Sequence, residues 1–170
     1  MAAQTAPDLD PLALEHQVCF ALSVTNRAVL AVYRPLLEPL GLTHPQYLVM
    51  LTLWDQHGAH QKASAEPRKP QKPLSVKEIA AILQLDSATL SPMLKRLAAL
   101  GLITRTRSAT DERSTDVRLT ESGTALRQRA LKIPPAVIAR LGVDITELQH
   151  LHEVLTRINS AALAAGALES

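Results

Sequence analysis

The chain has 170 residues, enough for one domain with a real core and too few for two full ones, and its formal net charge of +2 is unremarkable as a whole. A single cysteine excludes an intramolecular disulfide and fits a reducing compartment, and an aromatic content of 2% argues against stacking of single-stranded nucleic acid and leaves duplex DNA as the better fit. No apolar run is long enough to span a bilayer, and MAAQTAPDLD lacks a basic region followed by an apolar stretch, so the expectation is a cytoplasmic protein without a membrane partner.

From about Pro11 to Tyr33, the residues Leu14, Val18, Ala21, Leu22, Thr25, Val29 and Val32 fall on one stripe, which predicts a long helix that Pro35 ends. Glu38-Pro39-Leu40-Gly41 reads as a turn. Thr43 with Gln46 is a capping-box pair, with Pro45 tolerated in the first turn, and the following YLVMLTLW is apolar on nearly every side, predicting a helix buried in the middle of the domain. Residues 57–73 contain three prolines and no large apolar side chain and read as a flexible, basic insertion. His57 and His60 have a spacing seen in metal sites, but no cysteine or acidic cluster stands near them; no metal and no cofactor is expected.

Ser75 and Glu78 form a second capping box, with Leu74 and Ile79 placed as a hydrophobic staple. A short Gln84-Leu85 turn separates that helix from Asp86–Leu100, where Asp86 caps, Gly101 terminates, and Leu90, Leu94, Leu97 and Leu100 face inward. Ser87, Thr89, Ser91, Lys95 and Arg96 are left on the outer face. Helix, tight turn, helix is the helix-turn-helix pattern. Two strand-like runs, LITRTR and TDVRLT, follow and predict a β-hairpin wing. Lys95, Arg96, Arg105 and Arg107 stand without an acidic residue between Ser87 and Thr110, giving the helix and first wing strand a shared positive face suited to phosphate. After the wing, Thr120 caps a helix that runs until Pro134-Pro135 interrupts it. The last helix, Ile145 to Ala165, carries a long stripe through Leu148, Leu151, Val154, Leu155, Ile158, Ala162 and Ala165. The first and last helices offer more apolar surface than this small domain can cover, which a homodimer would bury.

The fold class expected is therefore mainly α with a small β-hairpin wing: a winged helix-turn-helix dimerised through its N- and C-terminal helices. Residues 1–170 read as one domain, with 1–56 and 124–170 as dimerisation helices and core, 57–73 as the insertion and 74–123 as the winged helix-turn-helix. This layout, with a wing containing D-x-R and then V-x-L-T-x-x-G (Asp111, Arg113, Val117, Leu119, Thr120, Gly123), resembles the MarR family of bacterial transcriptional regulators. CFALSVTNRAVLAVYRPLLEPLGLTHPQYLVMLTLWD and LDSATLSPMLKRLAALGLITR are similar to the family's organic-hydroperoxide-sensing branch.

The resemblance implies that Cys19 is the peroxide-reactive thiol, held by tyrosine hydroxyls from the partner subunit, and that Tyr33 is one of those tyrosines. His44 stands where the branch normally has the second, and Ser23 where a further one often occurs. His44 would supply a hydrogen bond to the sulfur or, if protonated, a positive charge. Cys19 and Tyr33 are fourteen positions apart on one helix, or about 21 Å along its axis, so they meet only if two first helices pack antiparallel across a dimer.

On DNA, Ser87, Thr89 and Ser91 are expected at base edges or phosphate, Pro92 at a thymine methyl, and Lys95 and Arg96 on phosphate. Arg113 is the residue for minor-groove insertion, oriented by Asp111. A symmetric dimer requires a pseudo-palindromic double-stranded operator. The leading expectation is a repressor released when organic hydroperoxide oxidises Cys19; the alternative is a MarR-like repressor controlled by a small phenolic or carboxylate ligand, with Cys19 only structural. No Ser/His/Asp set, paired carboxylates or phosphate-cradling glycine loop points to an enzyme.

Overall fold

The computed structural model describes residues 10, 12–63, 73–108 and 114–167, with the backbone alone for 57–63. The first long helix, α1, spans Val18–Leu37, shorter at its start and longer at its end than its stripe predicts. Gln17 is extended (φ −82°, ψ 115°) and separates α1 from a 3-10 turn at Leu14–His16. Leu12 and Leu14 are exposed, and without packing of its apolar face an amphipathic pattern does not hold a helix. At the other end Pro35 does not stop α1. It forfeits one backbone hydrogen bond, but Leu37, buried to 1% exposure, anchors the last turn. After Leu37 the chain tightens into a 3-10 turn, Glu38–Leu40, which ends at Gly41, whose φ of +71° admits the left-handed conformation, with Leu42 N–H donating back to the Leu37 carbonyl at 3.3 Å.

Helix α2, His44–Ala63, begins where expected: Gln46 Oε1 accepts from Thr43 N–H at 2.9 Å. Tyr47, Val49, Met50, Leu53 and Trp54 are buried, while Leu48 and Leu51 remain exposed, so α2 is central without being covered all round. It also continues through residues 57–63, which the sequence reading gave to a flexible insertion. The helix-breaking prolines of that stretch all lie further on, at Pro67, Pro70 and Pro73, and low apolar content alone does not end a helix. The remainder of the expected insertion, 64–72, lies outside the described residues.

Next come β1 (Leu74–Ser75), α3 (Val76–Leu83), α4 (Ser87–Ala99), β2 (Ile103–Arg107) and β3 (Thr115–Leu119). The Ser75–Glu78 box closes both ways: Glu78 N–H donates to Ser75 Oγ at 3.1 Å and Ser75 N–H donates to Glu78 Oε2 at 2.7 Å. Such a cap contributes about 1 kcal/mol. Gln84 turns the chain in the left-handed region (φ +53°), and Asp86 then caps α4. Leu90, Leu94 and Leu97 are fully buried, each burial stabilising by roughly 1.5–3 kcal/mol. Leu100, expected inward with them, is exposed instead: at 3.6 residues per turn it has drifted roughly 80° from Leu90, and Leu102 takes the core position beyond Gly101.

The wing is an antiparallel hairpin with Arg105 opposite Val117 and Thr106 opposite Asp116. β1 adds a third strand in the order β1-β3-β2, pairing Leu74 with Val117. Two residues are too few for a period to show in sequence. Thr120 caps α5, Glu121–Ala130, accepting from Gly123 N–H at 3.0 Å. That helix ends before the proline pair, and Pro134-Pro135 lie in the first turn of a further helix, α6 (Ile133–Leu141), which packs on α1 and buries Ile133 and Val137. Missing N–H groups cost nothing in a first turn, so the prolines start a helix here. The last helix, α7, spans Ile145–Ala164, capped by Asp144, and none of its residues is buried.

Candidate functional site

The α4 surface takes its shape from its cap. Asp86 receives both the N–H and the hydroxyl of Thr89 at 2.7 Å, and these bonds hold its carboxyl below the usual carboxylate range. The start of α4 thus already has its own anion, which leaves the polar side chains, not the bare helix end, to meet DNA. Thr89 donates its hydroxyl proton to Asp86 and is left as an acceptor, suited to an exocyclic base amino group rather than to phosphate. Ser87, Thr89, Pro92, Lys95 and Arg96 are exposed on this face and Ser91 is half-buried. Pro92 sits within α4 and cannot donate to the Ala88 carbonyl, which leaves that carbonyl without its usual helical donor on an exposed turn.

On the wing, Arg107 is exposed and Arg105 half-buried, its Nε without a hydrogen-bond partner among the described residues. Asp111 and Arg113, the expected wing-tip pair, lie outside the described residues.

Cys19 is exposed and is the second residue of α1, at the helix end that favours negative charge. Ser23 donates its hydroxyl to the Cys19 carbonyl at 2.9 Å, so it serves the backbone and not the sulfur. Tyr33 lies on the same continuous helix, about 21 Å away by helical rise, and the structure brings it together with His44: their rings meet edge-on with centroids 4.9 Å apart. Tyr33 and His44 are therefore neighbours, and neither is near the Cys19 of its own chain. Burial raises the Tyr33 hydroxyl above its ordinary value and keeps it a donor. Burial lowers His44 from its ordinary value, which favours the neutral imidazole, a hydrogen-bonding group, over the positive charge.

Two features escaped the sequence reading. The Tyr33 ring is followed by Tyr47 at 6.1 Å, and Tyr47 by Trp54 at 6.4 Å, so the site continues as an aromatic series down α2. Tyr47 and Trp54 are seven residues apart, a spacing that marks one helical face but reads equally well as core. The second is a mainly apolar groove of about 970 Å³ between α1, α6 and α7, lined by Leu22, Val29, Tyr33, Val137, Leu141 and Leu155 among others. Without α6 in the sequence reading, this groove had no far wall.

Residues 31–129 match the family described as Transcriptional regulator SarA/Rot. The chain is 40% identical to the Organic hydroperoxide resistance transcriptional regulator of Bacillus subtilis (strain 168), over 82% of this chain and 87% of that protein. The chain is a transcriptional regulator of the MarR family. Like the structures it resembles, this MarR-family regulator is a winged helix-turn-helix protein that binds DNA. Among these are reduced AbfR bound to DNA (TM-score 0.69, 29% identity, 89% of this chain and 94% of that one) and overoxidized AbfR bound to DNA (TM-score 0.64, 29% identity, 87% and 93%). The relatives are regulators and not enzymes, as the sequence led one to expect. No helix among the described residues is long and apolar enough to cross a membrane.

Proposed function

We propose that this MarR-family regulator is a dimeric repressor that leaves its operator when organic hydroperoxide oxidises Cys19. The observation that carries this reading is the separation on α1: Cys19 stands exposed in the first turn, and Tyr33, with His44 against it, stands about 21 Å away on the same helix. Two α1 helices packed antiparallel bring the sulfur of one subunit to the tyrosine of the other. The first half of α1 exposes Val18, Phe20, Leu22 and Val24, and α7 exposes Ile145, Leu151, Leu155 and Ile158, which a second copy would cover. In this arrangement residues 74–123 read DNA, and 1–56 with 124–170 form the dimerising body.

The chemistry is a two-electron oxidation. The Cys19 thiolate attacks the peroxide O–O bond, the sulfur takes one oxygen to become a sulfenic acid, and the leaving alkoxide takes a proton to become an alcohol. With one cysteine in the chain, the sulfenic acid then condenses with a small cellular thiol, releasing water and leaving a mixed disulfide. The Tyr33 hydroxyl and the neutral His44 are the donors that hold the reactive sulfur. Ser87 and Ser91 meet bases or phosphate, Thr89 an exocyclic base amino group, Pro92 a thymine methyl, and Lys95 and Arg96 phosphate; Arg113, oriented by Asp111, enters the minor groove of a pseudo-palindromic site. The similarity to the B. subtilis hydroperoxide regulator supports the choice of signal.

A mixed dimer tests the cross-subunit arrangement. One chain carries Cys19→Ser and the other Tyr33→Phe, so the only thiol faces the intact Tyr33 of the other chain. Its oxidation by organic hydroperoxide should be as fast as in wild type, whereas the Tyr33→Phe homodimer should be slow. Equal slowness of both would contradict the arrangement.

The groove of about 970 Å³ favours a second reading, control by a small phenolic or carboxylate ligand with Cys19 only structural. Under that reading Cys19→Ser responds to its signal as wild type does.

A further inference from the structure

We propose that Trp54 is a positioning residue that joins the Tyr33 cluster to the turn between the recognition helix α4 and the wing. The inference rests on the reading of Tyr33 as the tyrosine that meets the partner's Cys19. The path is made of contacts. Tyr33 packs on Tyr47, and Tyr47 meets the buried ring of Trp54 edge-on. Trp54 Nε1–H donates to the Gly123 carbonyl at 2.8 Å, a buried bond between residues 69 apart in sequence.

Gly123 is where the path reaches the DNA-binding part. A Cβ at Gly123 would lie 2.0 Å from the Leu102 carbonyl oxygen, so the start of α5 is pressed directly on the backbone that leaves α4. Thr120 closes the same turn from the other side: its hydroxyl donates to the Gly101 carbonyl at 2.6 Å, and its N–H to the Leu102 carbonyl at 3.1 Å. Residues 101 and 102 are thus clamped between α5 and the end of β3, and a shift of Gly123 moves α4 and the hairpin together.

The indole bond is separable from the fold. Gly123 is the third residue of α5, and its carbonyl has two lone pairs, one for the helix and one for Trp54. Replacing Trp54 by Phe removes the donor, leaves the helical bond in place and keeps an aromatic ring against Tyr47. Oxidation that displaces Tyr33 would then no longer be passed to the 101–102 turn.

Trp54 is the only tryptophan in the chain, so its fluorescence reports this joint alone. The experiment uses the full-length dimer, with mass spectrometry to record Cys19 oxidation and titration of operator DNA at fixed salt. Wild-type emission should shift when organic hydroperoxide oxidises Cys19, and operator affinity should fall at least about tenfold, within the usual range of coupling between sites. Trp54→Phe should bind the operator when reduced, oxidise at the wild-type rate, and lose less than about threefold in affinity on oxidation. An unchanged wild-type emission on oxidation overturns the proposal, and so does full release of oxidised Trp54→Phe. If wild-type Cys19 does not oxidise, the redox reading itself fails and this inference falls with it.

Discussion

The winged helix-turn-helix and the two long terminal helices face the same problem, an apolar stripe that must be covered, and they meet it differently. In residues 74–123 the main stripe finds its cover within the chain: Ile79, Leu90, Leu94, Leu97, Ile103 and Val117 are all buried in one core that includes α2. α7 has twenty residues and buries none, and the first half of α1 is exposed throughout. One region covers its stripes within a single copy, and the other leaves them open to the second copy proposed above. That difference separates the part that reads DNA from the part proposed to sense the signal, and places their junction at Tyr33, Tyr47, Trp54 and Gly123.

Mutations should divide along this line. Leu94→Ala removes a fully buried side chain and should cost about 2–5 kcal/mol in denaturant unfolding, whatever the protein concentration. Leu151→Glu with Ile158→Glu should instead yield a monomer in sedimentation at micromolar concentration, abolish tight operator binding, and leave the helix-turn-helix folded by circular dichroism. A stable dimer in that double variant would break the comparison. Arg113→Ala should weaken operator binding by roughly 1–3 kcal/mol and lower the salt slope by about one, if the wing tip enters the minor groove. Thr120→Ala loses the α5 cap and its bond to Gly101, and should cost about 1 kcal/mol, again independent of concentration.

The smallest effect concerns pH. Burial lowers His44, so the unfolded chain takes up this proton more readily than the folded one. Stability linked to His44 is therefore fully present above the ordinary histidine value of about 6.5 and is lost as pH falls below it. With His44 lowered by burial, the oxidation rate of Cys19 should show no His44-dependent step between neutrality and pH 8. His44→Tyr should remove the acid-side loss and keep a reactive thiol, which unfolding and thiol-reaction profiles against pH would show.

Much of the DNA-reading part was legible because its signals are local. Ser75 with Glu78, Asp86 with Thr89 and Thr120 with Gly123 each satisfy a helix end within three residues, and all three form. Proline misled where its rule depends on position: Pro35 lies inside α1, and Pro134-Pro135 open α6 instead of interrupting α5. Leu100 misled because three-residue steps drift off a helical face, and β1 was too short to show a period. In the sensing region Cys19, Tyr33 and His44 are nominated by resemblance to hydroperoxide sensors. The contact of Tyr33 with His44 joins two helices and has no signature in either. The Trp54–Gly123 bond, across 69 residues, is further still from anything a local pattern can encode.

The most direct test of the account is operator binding by wild type and Cys19→Ser, each with and without organic hydroperoxide, at fixed salt. Both should bind when untreated. Hydroperoxide should release the wild type and leave Cys19→Ser bound. Release of Cys19→Ser as readily as wild type would make the thiol a packing residue and contradict the redox reading.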